Sequence, residues 1–270
     1  MHVKKILVVF DPTTDAQHAL DRAALIAQHE GNEVHLFSCI YSDLPESDDQ
    51  SGERERLLIA QNEILDSAVA PLIEKGIRVT TEVEWDKDWY QAVVRASARS
   101  GADAVLKASH KHSATQRLFK KTSDWTLIRQ CDCPVLLVKG QAISEGRKVL
   151  AAVDLRGDKD SYEDINANIL DFCRRFVDAE HSEVHFINAH KDLSTRPDRG
   201  SMIRACGVEG DKVHIKMGEA SKAIVETAKE LDANLVVIGN SARSGFSAAV
   251  NSNTAEKILD ELECDLLTMP

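Results

Sequence analysis

Leu235-Val236-Val237-Ile238-Gly239-Asn240-Ser241-Ala242-Arg243-Ser244-Gly245, followed shortly by Asn251-Ser252-Asn253-Thr254-Ala255-Glu256, decides how the chain reads. Four apolar residues, mostly β-branched, form a buried strand that stops at a glycine. A loop of small polar residues follows. Thr254 then opens an amphipathic helix with Ile258, Leu259 and Leu262 on one face. Strand, small-residue loop and helix start, in that order, are how α/β folds hold phosphate: small residues let a ligand approach the backbone, and the unpaired N–H groups of the first helical turn point at it. On local pattern alone the stretch is equally an ordinary strand-to-helix turn.

Working outward, the segment closes a repeat. Lys5-Ile6-Leu7-Val8-Val9-Phe10-Asp11 recurs as Lys148-Val149-Leu150-Ala151-Ala152-Val153-Asp154, and Glu33-Val34-His35-Leu36-Phe37 as Glu183-Val184-His185-Phe186-Ile187. Gln91-Ala92-Val93-Val94 recurs as Lys222-Ala223-Ile224-Val225. Asp124 to Lys139 aligns without gaps on Ala255 to Pro270, and Gly101–Leu106 matches the run ending at Ile238 to within a residue. The matches keep one order, so the chain is a tandem duplication. Its halves are residues 1–140 and 147–270, joined near Gly140–Gly146.

Each half alternates strand and helix. The first reads as strand Lys5–Phe10, a helix opened by a Thr14-x-x-Gln17 capping box and closed at Gly31-Asn32, and strand Glu33–Ile40. A helix from Gly52 to Lys75, strand Ile77–Val83, helix Asp88–Ser100, strand Ala104–Ala108, helix Ser123–Gln130 and strand Pro134–Val138 complete it. Near-continuous apolar strands separated by helices imply a parallel sheet covered on both faces. Ligands of such sheets sit beyond the carboxyl ends of the strands, at the switch point. The second half departs once: between strands Glu183–Asn188 and Val213–Met217 about two dozen residues remain, where the first half spends a loop and a long helix. A parallel crossover needs about a dozen, so the length suffices, whether this copy has lost most of a helix or residues are missing from the chain.

Composition narrows the function. The chain has 270 residues, of which 43% are hydrophobic and 29% charged, and a net charge of −11. That balance argues against nucleic-acid and anionic-membrane partners, because phosphates attract a basic surface. There is neither an apolar run of about 18 residues nor a hydrophobic leader, and the expected compartment is the cytoplasm. Six cysteines lack CxxC spacing and read as reduced thiols, with a redox or metal role for Cys131 and Cys133 as the alternative.

The Gly239 segment resembles the C-terminal signature of the universal stress proteins, whose nucleotide-binding members read G-x2-G-x9-G-[ST]. Gly239 matches the first glycine, Ala242 stands at the second, Ser252 at the third and Asn253 at the hydroxyl residue, while Thr254-Ala255-Glu256 keeps the tail. The resemblance implies two tandem Rossmann-like domains of the adenine nucleotide alpha hydrolase-like type. Each has five parallel strands in the order 3-2-1-4-5. The two associate as a pseudo-dimer through strand five, Val135–Val138 and Leu266–Met269. It also implies a small-molecule site in the second half formed by Asp154, Gly239, Asn240, Ala242, Ser252, Asn253 and Thr254, with ATP or another adenine nucleotide as ligand. The side chains at 242 and 252 crowd positions where backbone should meet phosphate. Asp11 and Asp154, ending the first strand of each half, match the family's nucleotide-contacting aspartate; on their own they read equally as turn residues.

The first half carries a different loop, Lys107-Ala108-Ser109-His110-Lys111-His112, with Lys107 aligned on the first glycine. Lys107-x-x-His110-x-His112 and Asp124-Trp125 resemble the first repeat of the family's tandem branch. Asp11, Lys107, His110 and His112 are the candidate anion site; a solvated loop is the alternative, and H-x-H without a third ligand assigns no metal. No nucleophile, base and orienting group assemble, so no catalytic residue is named. Three functions remain: a non-enzymatic, ligand-responsive protein of starvation, oxidative and DNA-damage survival; an interaction scaffold with degenerate sites, carrying a lipid-like or sugar-phosphate ligand or none; and a weak ATPase. A homodimer is compatible with each.

Overall fold

The structure is a computed structural model. It describes residues 3–44, 49–109, 117–140, 147–155, 160–177, 182–240, 258–259 and 261–270. The chain divides after Gly140 into two compact units.

In the first unit β1 (Lys5–Val9), β2 (Glu33–Ile40), β3 (Val79–Trp85), β4 (Ala104–Ala108) and β5 (Val135–Val138) form a parallel sheet of order β3-β2-β1-β4-β5. β1 is central: Ile6, Leu7 and Val8 are at most 1% exposed, as a strand covered on both faces requires. Helix α1 (His18–Glu30) presents Ala19, Leu20, Ala23 and Ala27 to the sheet at helical spacing and stops at Gly31, whose φ of 73° only glycine adopts without strain. Its start differs from the sequence expectation. Gln17 is not the third residue of a helix capped by Thr14. Its amide donates to the carbonyls of Asp11 (2.8 Å) and Thr14 (2.7 Å) and accepts from the Asp11 N–H (3.2 Å), so it holds the loop and α1 begins one residue later. Helix α2 (Gln50–Glu74) buries Gln61, Leu65, Val69 and Leu72. Helix α3 (Trp89–Ser100) sends Arg95 to Glu84 and Asp86, and Arg99 to Glu82 and Glu84, on the outer strand β3 and the residue just after it. Helix α4 (Arg117–Gln130) starts earlier than the sequence suggests.

The second unit repeats the topology. β6 (Arg147–Ala152), β7 (Ser182–His190), β8 (Val213–Met217), β9 (Leu235–Gly239) and β10 (Asp265–Met269) are parallel in the order β10-β9-β6-β7-β8, again 3-2-1-4-5 within the half. Helix α5 (Asp160–Val177) follows β6, and α7 (Ala220–Leu231) follows β8. Between β7 and β8 the long helix is replaced by a turn at Leu193–Thr195 and by α6 (Arg199–Cys206), eight residues capped by the Asp198 carboxylate on the Ser201 N–H (2.7 Å). Even small bonds recur. The Lys5 N–H donates to Asp103 (2.9 Å), and the Lys148 N–H donates to Asn234 (2.8 Å).

The registers correct one alignment. Ile6 pairs with Ala104 and Val149 with Leu235, and the N–H groups of Ser109 and Asn240 bond to the carbonyls of Val138 and Met269 at 2.7 Å each. Ala108 therefore stands at the Gly239 position, and Lys107 matches Ile238. Apolar runs slide by one residue without penalty in a sequence comparison; hydrogen-bond register does not.

One substitution between the halves is pH-sensitive. His35 lies 2.8 Å from Thr80 Oγ1 and 3.0 Å from Glu82 Oε2. By register His214 takes the place of Glu82, and its Nε2 lies 3.0 Å from Nδ1 of the buried His185, the rings stacked at 5.2 Å. Glu183 is 3.2 Å from His185 Nε2 but off a hydrogen-bonding direction. One ring must donate and the other accept, so the pair excludes double protonation. Burial, then His185, Lys216 and Arg199, lower the His214 pKa below 6.5, with Glu230 opposing. The unfolded chain therefore binds more protons below pH about 6.5, and stability falls as the pH drops through that range. The denaturation midpoint should fall between pH 7.5 and 5.5, and His214→Gln should flatten that slope.

Candidate functional site

The central strands β1 and β6 each part from their neighbours at the carboxyl end, which is where the sheets can hold a ligand. In the second half Val153 and Asp154 lie just past β6, and Gly239 and Asn240 at the end of β9. Asn166 of α5 clamps the loop reciprocally: the Asp154 N–H donates to its Oδ1 (3.1 Å), and its Nδ2 donates to the Asp154 carbonyl (2.6 Å). Asn188 of β7 donates through Nδ2 to the Val153 carbonyl (2.9 Å). Asn166, Asn188 and Asn240 are all buried, so three amides line this crest. Packing disfavours any side chain at Gly239. A Cβ there would lie 2.3 Å from Cγ2 of Ile165 on α5. Ala242, Ser252, Asn253 and Thr254 lie outside the described residues.

The first half builds the same crest from other residues. Gln17 clamps Asp11 as Asn166 clamps Asp154, and Asp11 Oδ1 accepts from the Thr13 N–H (2.9 Å) and hydroxyl (2.5 Å). By register Ser38 and Ser109 take the places of Asn188 and Asn240. Gln61 of α2 donates to Ser38 Oγ (3.1 Å), and Ser109 Oγ donates to Asp124 Oδ2 (3.1 Å). Lys107 points to the α3 side of the sheet. Its Nζ lies 2.8 Å from Asp124 Oδ1, donates to the Ala108 carbonyl (2.8 Å) and sits 5.4 Å from the Trp89 ring centre. Asp124 is 3% exposed, and its Oδ1 receives no well-directed hydrogen bond, so the contact is an ion pair. The ammonium is thus committed to its own chain, which weakens its candidacy for an external anion. His110 and His112 lie outside the described residues.

Sequence reasoning did not find Gln17, Asn166 or Asn188 as crest residues, nor the Lys107–Asp124 pair. A signal existed for Asn188, an amide directly after the strand segment Val184-His185-Phe186-Ile187. Among the described residues no group of three or more His, Cys, Asp or Glu is placed to hold a metal, and no helix is long and apolar enough to cross a membrane. The six cysteines are free, and burial pushes the thiols of Cys39 to about 11 and of Cys173 and Cys206 to about 12, far from thiolate reactivity at neutral pH. An open pocket of about 550 Å³ lies at the amino ends of the first sheet, between Lys5, Glu33, Arg78 and Asp103, remote from the crest.

Two parallel five-stranded sheets of order 3-2-1-4-5, each with an aspartate clamped at its switch point, define a tandem α/β protein with a nucleotide-binding-like fold. The profile described as "Universal stress protein family" matches residues 2–139 and 199–270. The chain belongs to the universal stress protein family. The profile leaves residues 140–198 unmatched, yet β6, α5 and β7 there complete the second sheet. The chain is similar to universal stress protein E of Escherichia coli K12, at 28% identity over 98% of this chain and 93% of that one. A functionally unknown protein from Pseudomonas aeruginosa PAO1 is 29% identical, with 99% and 92% coverage and a TM-score of 0.77. A universal stress protein from Archaeoglobus fulgidus DSM 4304 shares the fold at 18% identity, 98% and 95% coverage and a TM-score of 0.75.

Two packing relations can be tested directly. Gly239→Ala should destabilise the protein by about 1–3 kcal/mol, and adding Ile165→Ala should cost less than the sum of the single changes in a denaturation cycle. Lys107→Ala should cost roughly 3–5 kcal/mol by stranding the Asp124 carboxylate, whereas Lys107→Met with Asp124→Leu should recover most of it.

Proposed function

We propose that the chain is a non-enzymatic, ligand-responsive protein of stress survival under starvation, oxidative and DNA-damaging conditions. It acts in the cytoplasm, and its second half holds an adenine nucleotide. The observation that carries this reading is the difference between the crests. In the first half Ser38, Ser109 and Lys107 are all satisfied within the chain. In the second half glycine is kept at 239, Asp154 is fixed by Asn166, and among the described residues the buried Oδ1 of Asn188 has no hydrogen-bond partner. Two other universal stress proteins, each about half this length, are solved with adenine nucleotides, one in complex with cAMP and one with dAMP. Binding is favoured over turnover because the sequence assembles no nucleophile, base and orienting group. The first half fits a supporting role, since its polar crest residues bond to each other.

Mass spectrometry of small molecules released when the purified protein is denatured should detect one adenine nucleotide per chain, and Asp154→Ala should abolish it. A lipid or sugar phosphate in its place would reassign the cleft. An empty, folded protein unmoved by any nucleotide in thermal shift would favour the scaffold. Linear phosphate release that Asp154→Ala abolishes would make the protein an ATPase.

A further inference from the structure

We propose that the outer edge of β8 is a docking surface for a second copy of this chain, the two β8 strands pairing antiparallel about a two-fold axis at Ile215.

The shortened crossover uncovers this edge. Helix α6 follows β7 as α2 follows β2. In the first half α2 has 25 residues, a length of about 37 Å, and it reaches the outer strand β3. Thr81 Oγ1 donates to Asp66 Oδ1 (3.4 Å), and Arg54 lies 5.6 Å from the Trp85 ring centre. In the second half α6 has eight residues, a length of about 12 Å. By register Met217 takes the place of Trp85, and it is 66% exposed. Leu193, in the crossover itself, is 77% exposed.

The backbone of β8 is open on the same side. Among the described residues β8 pairs only with β7. The Gly218 N–H donates to the His190 carbonyl (2.9 Å). In this parallel register residues 214, 216 and 218 therefore turn their backbone groups to β7, and residues 213, 215 and 217 turn theirs outward. The Val213 N–H is already taken by the Gly210 carbonyl. The outward donors that remain are the N–H groups of Ile215 and Met217, with the carbonyls of Val213 and Ile215 as acceptors.

That set is complementary to itself. When two copies run antiparallel about Ile215, each Ile215 exchanges both of its bonds with its counterpart. Each Met217 N–H then meets the Val213 carbonyl of the second copy. On the α6 face Ile215 packs on Ile215 and Met217 on Val213. On the α7 face His214 comes opposite Lys216 of the second copy. Burial keeps His214 uncharged at neutral pH, and Lys216 Nζ lies 3.3 Å from Glu230 of its own chain, so no like charges oppose. The β3 edge of another molecule is a poorer match, because Glu82 and Glu84 are fixed there by Arg95 and Arg99. A β8 edge thus meets another β8, and such a contact uses both edges at once and closes at two chains.

The test is sedimentation of the full chain at neutral pH, with hydrogen exchange read by mass spectrometry. The parent should be a dimer at roughly 100 µM chain, by mass action. Ile215→Pro removes an outward N–H, which an outer strand tolerates, and Met217→Glu puts a charge at an exposed position; each should weaken the dimer at least about tenfold. The segment 213–217 should exchange more slowly in the dimeric parent than in the monomeric variant. A parent that stays monomeric at that concentration would overturn the proposal. So would a dimeric parent in which segment 213–217 exchanges as fast as in a monomer. Should Ile215→Pro fail to fold, Met217→Glu decides alone, and a dimer it leaves undiminished would place the contact elsewhere and overturn the proposal.

Discussion

Each half hangs on a strand that has neighbours on both sides and helices on both faces. β1 pairs with β2 and β4, and β6 with β7 and β9. Such a strand has no solvent-facing side in its middle, so its buried residues, Ile6 to Val9 and Val149 to Ala151, are all apolar. Chemistry is then confined to the point where it ends and its two neighbours lead away in opposite directions. Everything that could touch a ligand follows from that confinement. The aspartate comes just after the last buried residue of the strand, and an amide side chain, Gln17 just before α1 or Asn166 on α5, bonds to its backbone.

The two copies show how far this plan can drift while the backbone stays the same. An isoleucine at 238 becomes Lys107, which is tolerated because Asp124 appears on the facing helix and Trp89 covers the ammonium. A glycine at 239 becomes alanine, and a pair of asparagines become serines. In the first copy Gln61 bonds to Ser38, and Asp124 takes Ser109 and Lys107, whereas in the second, among the described residues, Asn188 Oδ1 has no donor. Buried polar groups are almost always paired; among the described residues Asn32 Oδ1, Asp124 Oδ1, His185 Nε2, Asn188 Oδ1 and Thr227 Oγ1 are the exceptions.

Much of the fold is legible in the sequence. Glu33–Ile40, Ala104–Ala108 and Val213–Met217 are strands with the bounds the sequence implies, because turn residues punctuate their apolar runs. The shortened crossover is also visible as a simple deficit of residues. What the sequence hides are choices made between partners distant along the chain. The one-residue register that separates Lys107 from Ala108 is set by hydrogen bonds to β1 and β5, and the apolar pattern is indifferent to it. The Thr14-x-x-Gln17 pattern satisfies a local rule, but Gln17 serves the strand end at Asp11 instead. The site is less legible than the fold because its defining bonds, Asn166 to Asp154 and Asn188 to Val153, join residues separated by 12 and 35 positions.

The ion pairs between α3 and β3 have a consequence beyond holding a helix to a strand. β3 is the last strand of the first half's sheet on that side, and an outer strand offers a row of backbone groups to any passing chain. Glu82 and Glu84 alternate along it with Val83 and Trp85, Asp86 follows its end, and Arg95 and Arg99 knit the acidic row to the helix. A second chain adding itself to this strand would have to bring its own backbone alongside a file of fixed charges. The same comb that orders the helix therefore discourages the protein from polymerising through its sheet.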